Sequence, residues 1–269
     1  RATALAGLAM FTGIVEEIGK VLSFEKRSDV LLWDESRGEG YVLVIECATA
    51  LEDAYIGCSI AVNGVCLTVT HMDAKSFTAH IAPETLRRSN LGDLRAGSAV
   101  DLERSASASA RVSGHMVQGH VDCAAAVVSK RADGADCLSV QVELPAEHAD
   151  LMRFIVEKGY VAVDGASLTV TAVDVARRRF SFMLIPHTQL AVVIPKRAVG
   201  DRVNVEVDCL AKYAAQSGGA GAAAAEEAAA AAERRAARAE TLAGAAVAVA
   251  AAAACVALWA ASRVGARQQ

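Results

Sequence analysis

The chain has 269 residues and a formal charge of −4, without a block of like charge in its repeated region. This balance argues against a nucleic-acid binder, which normally shows a basic stripe. Seven widely spaced cysteines with no Cys-x-x-Cys pair argue against a disulfide framework or a zinc knuckle, and they fit a reducing compartment such as a plastid or the cytoplasm. The length accommodates two domains of roughly 100 residues each and a tail.

The first nine residues, Arg1 to Ala9, are small and mostly apolar, and they precede Met10. Two interpretations stay open for them. They are either the end of an organelle transit peptide or an unstructured extension.

Short segments of β-branched or alternating character follow Met10, at spacings of about ten residues with turn residues between them. Such a pattern is typical of an all-β barrel or sandwich. Pro83 suits the first position of a helix, so a short helical turn is expected there. The predicted strands are Phe11 to Val21, Tyr41 to Cys47, Ser59 to Val62, Leu67 to Thr70, Ser76 to Ile81 and Ala99 to Glu103.

One stretch, Val62 to Thr70, occurs again as Val163 to Thr171, with Cys66 replaced by Ser167. Each copy opens with Asn-Gly or Asp-Gly, a pair that favours positive φ in a tight turn, and continues as a strand. Because side chains alternate along a strand, one face of each copy is predicted to be apolar and the other small and polar. One of those polar groups is a thiol.

The duplication extends beyond this stretch, since matching residues recur from Met10 to Glu103 and from Met116 to Glu206 with loop-sized changes of offset. Two similar β-barrels in tandem are therefore predicted, with the boundary near residues 105–112. The predicted domains are 10–106, 107–208, a short C-terminal helix at 209–217 and an alanine-rich tail at 218–269.

The tail contains a charge-free run at 241–262 that has the length of a membrane span. Most of its residues are Ala or Gly, which contribute little to insertion. Membrane association, a peripheral or partner-binding role and disorder all stay open, and a solvated helix is expected where alanine alternates with charge.

Four motifs, together with 90–94 and 185–188, resemble riboflavin synthases of the alpha-subunit type. They are Met10-Phe11-Thr12-Gly13-Ile14-Val15-Glu16-Glu17, Asn63-Gly64-Val65-Cys66-Leu67-Thr68-Val69-Thr70, Gly114-His115-Met116-Val117-Gln118-Gly119-His120-Val121 and Asp164-Gly165-Ala166-Ser167-Leu168-Thr169-Val170. The resemblance covers about Met10 to Tyr213.

This resemblance implies two closed six-stranded barrels per chain and a homotrimer held by a C-terminal helix. The implied reaction is the dismutation of two molecules of 6,7-dimethyl-8-ribityllumazine to riboflavin and 5-amino-6-ribitylaminouracil, without metal or cofactor. Each barrel would bind one lumazine, and the active site would form where the N-terminal barrel of one subunit faces the C-terminal barrel of the next.

The chemistry requires a nucleophile and a proton shuttle, which a thiol and an imidazole can supply. From the pattern alone, Cys66 is a small buried residue and His120 a hydrogen-bonded structural one. The resemblance instead makes Cys66 the nucleophile and His120 a ligand-contacting, proton-transferring residue. It leaves His115 either structural or in support of the residues that contact the ligand. By alternation His120 and His115 lie on opposite faces, which argues against one metal bound by both.

Ser167 and Thr169 occupy the places of Cys66 and Thr68 in the second copy. The pattern alone indicates a solvent-facing polar strand, whereas the resemblance implies substrate contact and a catalytic role. A thiol in one barrel and a hydroxyl in the other suit a reaction in which one lumazine donates and the other accepts.

Further substrate contacts are implied by position in the family. Lys158 and Asp164 flank the second pocket strand, although an ordinary surface charge is the default for either. Glu84 and His187 are equivalent in the two copies, which would be a second asymmetry of acid and base groups. The complete predicted set adds Gly13, Ile14, Val15, Leu67, Thr68, Thr85, Gly119, Val121, Leu168, Ile185, Pro186 and Thr188.

Two rival functions remain open. A non-catalytic lumazine- or flavin-binding carrier or antenna would share the double barrel but tends to lose pocket residues in one barrel, and both copies keep their motifs here. A membrane-tethered scaffold, anchored through 241–262, would show neither turnover nor lumazine binding.

Overall fold

The computed structural model describes residues 10–31, 37–134 and 136–217. The described residues up to Lys212 belong to one compact unit. Residues 209–217 are helical, as predicted. The extension 1–9, the tail 218–269 and its candidate span 241–262 lie outside the described residues. Among the residues that are described, no helix has the length and apolar character that a bilayer crossing requires.

The first half of the chain folds into a closed barrel in which each strand pairs antiparallel with its neighbours, in the order β1-β2-β5-β4-β3-β6. Pairing of β1 with β6 closes the barrel. The strands are β1 Glu17–Leu31, β2 Arg37–Glu46, β3 Ser59–Val62, β4 Val65–Met72, β5 Ser76–Ile81 and β6 Ala99–Arg104.

The second half forms another closed barrel with the same connections, in the order β7-β8-β11-β10-β9-β12. The predicted pair of six-stranded barrels is therefore confirmed. The strands are β7 Cys123–Asp133, β8 Cys137–Glu143, β9 Tyr160–Val163, β10 Ala166–Asp174, β11 Arg179–Leu184 and β12 Arg202–Val207.

A short helix follows the fifth strand of each barrel. The predicted helical turn at Pro83 is present as α1, and its repeat is α2, each with Pro in the first turn where a missing N–H costs nothing. The helices are α1 Pro83–Arg88 and α2 Pro186–Ala191, with 3₁₀ segments at Thr49–Leu51, Asn90–Asp93, Ala146–Phe154 and Ile194–Lys196.

Alternation along β4 produces the two faces that the sequence predicts. Val65, Leu67 and Val69 are buried in the barrel interior, whereas Cys66 is half-buried and Thr68 is exposed. The interiors are filled by aliphatic and phenylalanine side chains, and each fully buried one contributes about 1.5–3 kcal/mol. The polar groups therefore lie on the outer wall of each barrel, and a ligand would bind there.

The β3–β4 and β9–β10 turns have positive φ at both central residues, as predicted for Asn-Gly and Asp-Gly. The values are 45° and 76° at Asn63 and Gly64, and 43° and 86° at Asp164 and Gly165. The two turns meet between the barrels. A Cβ on Gly64 would lie 2.6 Å from the backbone nitrogen of Gly165, so this contact requires glycine.

The predicted first strand, Phe11 to Val21, is wrong at its start because β1 begins at Glu17. Gly13 has a φ of 74°, which ends extended pairing before the barrel is reached. Phe11 instead pairs with Val117 through two backbone hydrogen bonds of 2.8 and 3.0 Å. The segment ahead of the first barrel is thus tied to the segment ahead of the second.

These two segments cross over, so that each lies against the other barrel. The carbonyl of Gly13 accepts a hydrogen bond from the Ser167 N–H at 2.7 Å, and the carbonyl of Gly119 accepts one from the Cys66 N–H at 2.9 Å. Val15 packs on the core of the second barrel, and Val121 packs on the core of the first. Each pocket strand is consequently bordered by chain that leads into the opposite barrel.

Buried polar side chains join the barrels in a nearly two-fold arrangement. Asn204 Oδ1 accepts from the Asn90 N–H at 2.6 Å, and in the repeated position Asp101 Oδ1 accepts from the Val193 N–H at 2.9 Å. Asn204 Nδ2 donates to the Asn63 carbonyl at 2.8 Å. Its counterpart Asp101 Oδ2 is buried and has no hydrogen-bond partner within the part of the chain that the structure describes.

Candidate active site

A cavity of about 920 Å³ opens on the outer face of the first barrel, and residues of β1, β2, β4 and β5 line it. This size is within the range of small-molecule pockets. Four of the predicted site residues line it, Cys66, Leu67, Thr68 and Thr85. Its other lining residues include Arg27, Asp29, Val42, Val44, Thr70, His71, Thr78 and His80.

Cys66 is a free, half-buried thiol at the edge of this cavity. Burial raises its pKa, the nearby Glu206 carboxylate raises it further, and a hydrogen bond with the Ser59 side chain opposes the shift. The thiol is therefore protonated at neutral pH in the isolated chain. A reaction through the sulfur requires a base to take its proton as it attacks.

Ser167, at the equivalent position of the second barrel, has a different partner. His115 Nδ1 lies 2.6 Å from Ser167 Oγ, and the imidazole stacks on Tyr160 with ring centroids 5.2 Å apart. Burial lowers the pKa of His115, so its ring is neutral at pH 7 and able to accept the serine proton. The resemblance implied a structural role for His115 or one behind the ligand contacts; its contact with Ser167 makes it a candidate site residue.

His120 is exposed and follows Gly119, whose carbonyl hydrogen-bonds to Cys66. Although the segment from His115 to His120 is not a regular strand, its burial alternates as predicted, with His115 buried and His120 exposed. Only glycine fits at 119, because a Cβ there would lie 2.6 Å from Cys66 Cβ. His120 therefore follows directly on the residue that contacts Cys66, but it is not among the residues that line the cavity.

The other predicted contacts near the first barrel lie either on the crossing segment or on β4. Gly119 and Val121 lie on the crossing segment, and Val121 packs on the barrel core. The Leu67 side chain is buried, so the polar groups that it offers the cavity are those of its backbone.

Around Ser167, the predicted contacts come from three parts of the chain. Gly13 touches Ser167, Ile14 is exposed and Val15 is packed. Leu168 points into the barrel core, and Thr169 is exposed on the strand paired with Tyr160. These side chains surround the outer face of β10.

Positions farther along the second barrel are exposed at the surface. Lys158 is exposed with a φ of 65°, and its N–H donates to the Val170 carbonyl at 2.8 Å. Ile185, Pro186 and His187 are exposed at the start of α2, and Thr188 is half-buried. They form a rim that is open to an incoming molecule.

Asp164 lies in a different place from the substrate contact that the resemblance implied. Its side chain is fully buried between the barrels, where it accepts from Asn90 Nδ2 at 2.9 Å, from the Asn204 N–H at 2.8 Å and from Arg197 at 3.1 Å. The turn that carries it faces the first barrel rather than the pocket, so we correct its role to joining the barrels.

Glu84 also differs from its predicted acid or base use. Arg87 and Arg88 bind its carboxylate at 2.6–2.7 Å, and hydrogen bonds from these arginines lower its pKa to about 2. An exposed carboxylate held ionised in this way is a poor proton carrier near neutral pH.

The structure adds cavity residues that the sequence analysis did not select, Thr70, Thr78 and His80. Strand alternation along β4 places Thr70 beside Thr68 and Cys66 and was available from the sequence. The pairing of β4 with β5, which brings Thr78 alongside, was not. Within the described residues, no group of His, Cys, Asp or Glu is arranged to hold a metal ion.

Comparison with known proteins identifies the family to which these two barrels belong. The Lumazine binding domain matches residues 12–105 and again 118–208. The riboflavin synthase of Meyerozyma guilliermondii is 46% identical over 206 residues, covering 76% of this chain and 83% of that protein. The riboflavin synthase of Mycobacterium tuberculosis is 47% identical over 206 residues, covering 76% and 96%. The chain belongs to the riboflavin synthase family.

Membership confirms the family predicted from the four motifs. A more distant riboflavin synthase, from Bacillus subtilis, is 37% identical over 204 residues, covering 76% of this chain and 87% of its own. Among solved structures, LumP complexed with 6,7-dimethyl-8-(1'-D-ribityl) lumazine has a TM-score of 0.61 at 20% identity, covering 73% of this chain and 98% of LumP. At that identity the likeness supports the double-barrel fold alone.

Proposed function

We propose that this protein is a riboflavin synthase: it converts two molecules of 6,7-dimethyl-8-ribityllumazine into riboflavin and 5-amino-6-ribitylaminouracil. The observation that carries the proposal is the match to curated riboflavin synthases over both barrels, at 37–47% identity. The transformation is a transfer, because a four-carbon unit leaves one lumazine and is built into the other, and the two products together contain the atoms of the two substrates.

The two pocket strands suit the two roles that this reaction requires. In the proposal Cys66 adds to one lumazine, and its proton passes to His120, which follows directly on the residue that contacts Cys66. In the second pocket, the Ser167 hydroxyl orients a lumazine and exchanges a proton with His115, 2.6 Å away. Thr169 and the exposed rim of α2 would contact the ribityl chain.

The assembled site is proposed to form between subunits of a homotrimer. Both pocket strands lie on outer barrel walls, so a lumazine bound on one barrel has a free face that another subunit can cover. Bringing the N-terminal barrel of one chain to the C-terminal barrel of the next would hold the two substrates face to face and remove the entropic cost of their encounter.

A lumazine- or flavin-binding carrier is the second candidate. One observation favours it: burial raises the pKa of the Cys66 thiol, whereas a nucleophilic cysteine normally sits where its thiolate is favoured. A reducing location, plastid or cytoplasm, is proposed on the spacing of the cysteines. The proposed membrane association of 241–262 concerns residues outside the described part.

Purified protein incubated with 6,7-dimethyl-8-ribityllumazine distinguishes the two functions. The enzyme produces riboflavin fluorescence without added metal or nucleotide. The lumazine concentration, followed by absorbance, falls by two molecules for each molecule of riboflavin formed. A carrier binds lumazine, detected by fluorescence quenching, and leaves it unchanged. That second result would replace the enzymatic proposal.

A further inference from the structure

Two buried glutamates occupy equivalent strand positions in the two barrels. Glu103 lies in β6 and Glu206 in β12, and their exposed fractions are only 6% and 3%. A buried carboxylate requires hydrogen-bond donors to offset its lost hydration. In both cases the donors come from the segment that crosses to the other barrel.

Glu206 holds residues 118–120, the part of the crossing segment that lies against Cys66 on β4. Its Oε1 accepts a hydrogen bond from the Gln118 N–H at 2.7 Å, and the backbone of His120 is close enough to lower the pKa of this carboxylate. Between these two residues, the Gly119 carbonyl accepts from the Cys66 N–H at 2.9 Å. The Glu206 carboxylate of the second barrel therefore fixes the position of the segment that hydrogen-bonds to Cys66 in the first barrel.

Glu103 holds residues 12–13, the part of the other crossing segment that lies against Ser167 on β10. Its Oε1 accepts from the Thr12 N–H at 2.7 Å and from Thr12 Oγ1 at 3.0 Å, and its Oε2 accepts from the Gly13 N–H at 3.0 Å. The Gly13 carbonyl then accepts from the Ser167 N–H at 2.7 Å. The arrangement repeats that of Glu206 with the barrels exchanged.

The hydrogen bonding of the two buried glutamates differs in one respect. Both oxygens of Glu103 are paired, whereas Glu206 Oε2 is buried and has no partner among the described residues. The Glu206 charge acts on Cys66, since it contributes to the raised pKa of the thiol. Two charged side chains also act on Glu206: Asp122 raises its pKa, and Lys212, paired with Asp122 at 2.7 Å, lowers it.

We infer that Glu206 is a positioning residue for the thiol pocket and Glu103 for the hydroxyl pocket, so that each barrel sets the geometry of the other barrel's site. Glu206 has an additional effect, because its negative charge adds to burial in opposing ionisation of the Cys66 thiol. Burial raises the pKa of Glu206 to about 6, so the carboxylate is charged at neutral pH. The inference rests on the proposed function for its catalytic part, and the electrostatic part stands independently of turnover.

Alkylation of Cys66 tests the electrostatic part in the intact protein. Glu206→Gln, Glu103→Gln and the unaltered protein are treated with iodoacetamide over a series of pH values, and the Cys66 peptide is quantified by mass spectrometry. Thermal melting of each variant confirms that it is folded. We expect the Glu206→Gln profile to move to lower pH and the matched Glu103→Gln profile to coincide with the unaltered one. An unmoved Glu206→Gln profile, or equal movement in both variants, contradicts the inference.

Turnover with lumazine tests the positioning part. Removing the acceptor in Glu206→Ala lets residues 118–120 move, and a misplacement of about 1 Å costs about a hundredfold in rate. Glu206→Gln keeps one acceptor oxygen and should recover most of that loss in kcat. A folded Glu206→Ala protein with unchanged turnover, or a Gln variant as impaired as the Ala variant, overturns the positioning role. If Glu206→Ala does not fold, Glu206→Asp replaces it: the shorter side chain keeps the charge but withdraws the acceptor from the Gln118 N–H, so kcat should again fall, and an unchanged kcat overturns the positioning role.

Discussion

At positions 66 and 167 the chain places a thiol and a hydroxyl in equivalent strand positions, and their neighbours differ as well. Cys66 is paired through its backbone with Gly119, whereas Ser167 also has the imidazole of His115 within 2.6 Å. The exchange of Cys for Ser was visible in the sequence. The contact with His115 was not, because it depends on a segment that crosses from the linker to the far side of β10.

Replacing Cys66 by Ser tests whether the thiol is the nucleophile. The serine hydroxyl is far less acidic than the thiol and a weaker nucleophile, so we expect turnover to fall by about a hundredfold or more. Lumazine affinity, measured by fluorescence titration, should stay close to that of the unaltered protein. Cys58→Ser, which alters a thiol outside the cavity lining, is the control and should turn over normally. Equal activity of both variants would assign Cys66 to packing.

Asp101 provides a pH-dependent test of the polar contact between the barrels. In the repeat, Asn204 Nδ2 donates to the Asn63 carbonyl, so the unpartnered Asp101 Oδ2 can make the matching contact only when protonated. Burial, with the Asp164 charge beside it, raises the Asp101 pKa well above 3.8, while Arg197 and Lys196 act in the opposite direction. Because the pKa of Asp101 is higher in the folded protein than in the unfolded protein, the free energy of unfolding falls as the pH rises from the unfolded pKa to the folded pKa.

We therefore expect Asp101→Asn to match the unaltered protein in acid and to exceed its free energy of unfolding by about 1–3 kcal/mol at alkaline pH. The amide supplies the donor without a proton to lose. Urea unfolding at several pH values measures the difference, and Glu103 and Glu206 cancel because both proteins retain them. A stability gap that is independent of pH would show that Asp101 is charged in the folded protein.

At the scale of strands and turns, the local sequence predicted the tight turns and the buried face of β4 correctly. Asn-Gly and Asp-Gly predict the two tight turns, and alternation predicts which side of β4 is buried. The start of β1 was mispredicted because Phe11 to Val15 has strand character but pairs outside the barrel, with Val117 and Ser167. Residue pattern reports that a segment is extended; it carries no information about its partner when the partner is a hundred residues away.

The contact between the two turns predicts a difference between two glycines of similar conformation. Gly64 and Gly97 both have positive φ, 76° and 89°, but a Cβ on Gly64 would meet Gly165 at 2.6 Å whereas one on Gly97 meets nothing within 4 Å. Gly97→Ala should cost only the backbone strain, about 1–2 kcal/mol. Gly64→Ala should cost a further 1–3 kcal/mol or so from overpacking, in urea unfolding. Equal losses would show that the turns do not touch in solution.

For the whole molecule, the internal duplication predicted two barrels, and the structure adds that each barrel is bordered by chain belonging to the other. Phe11 and Val117, which join the two crossing segments, are fully buried or nearly so. The sequence predicted the two pocket strands as separate sites. It could not predict that Gly13 and Gly119 connect them, because that connection depends on the packing of one barrel against the next.

Removal of residues 218–269 tests whether activity resides in the two barrels. Since the family match ends at residue 208, a chain ending at Ser217 should keep its turnover within about twofold, which is within the usual range for changes outside a site. Light scattering of both proteins reports whether each forms the proposed trimer. A trimer formed by the full chain but lost, together with turnover, on truncation would give the tail a part in assembly.

The most direct test of the central claim is the conversion of lumazine by the purified full-length chain, followed by chromatographic separation of the products. We predict one riboflavin and one 5-amino-6-ribitylaminouracil for every two lumazines consumed, with no metal or cofactor added, and near-complete loss of both products in Cys66→Ser. Stable lumazine binding with neither product formed would contradict the assignment and leave the double barrel as a carrier.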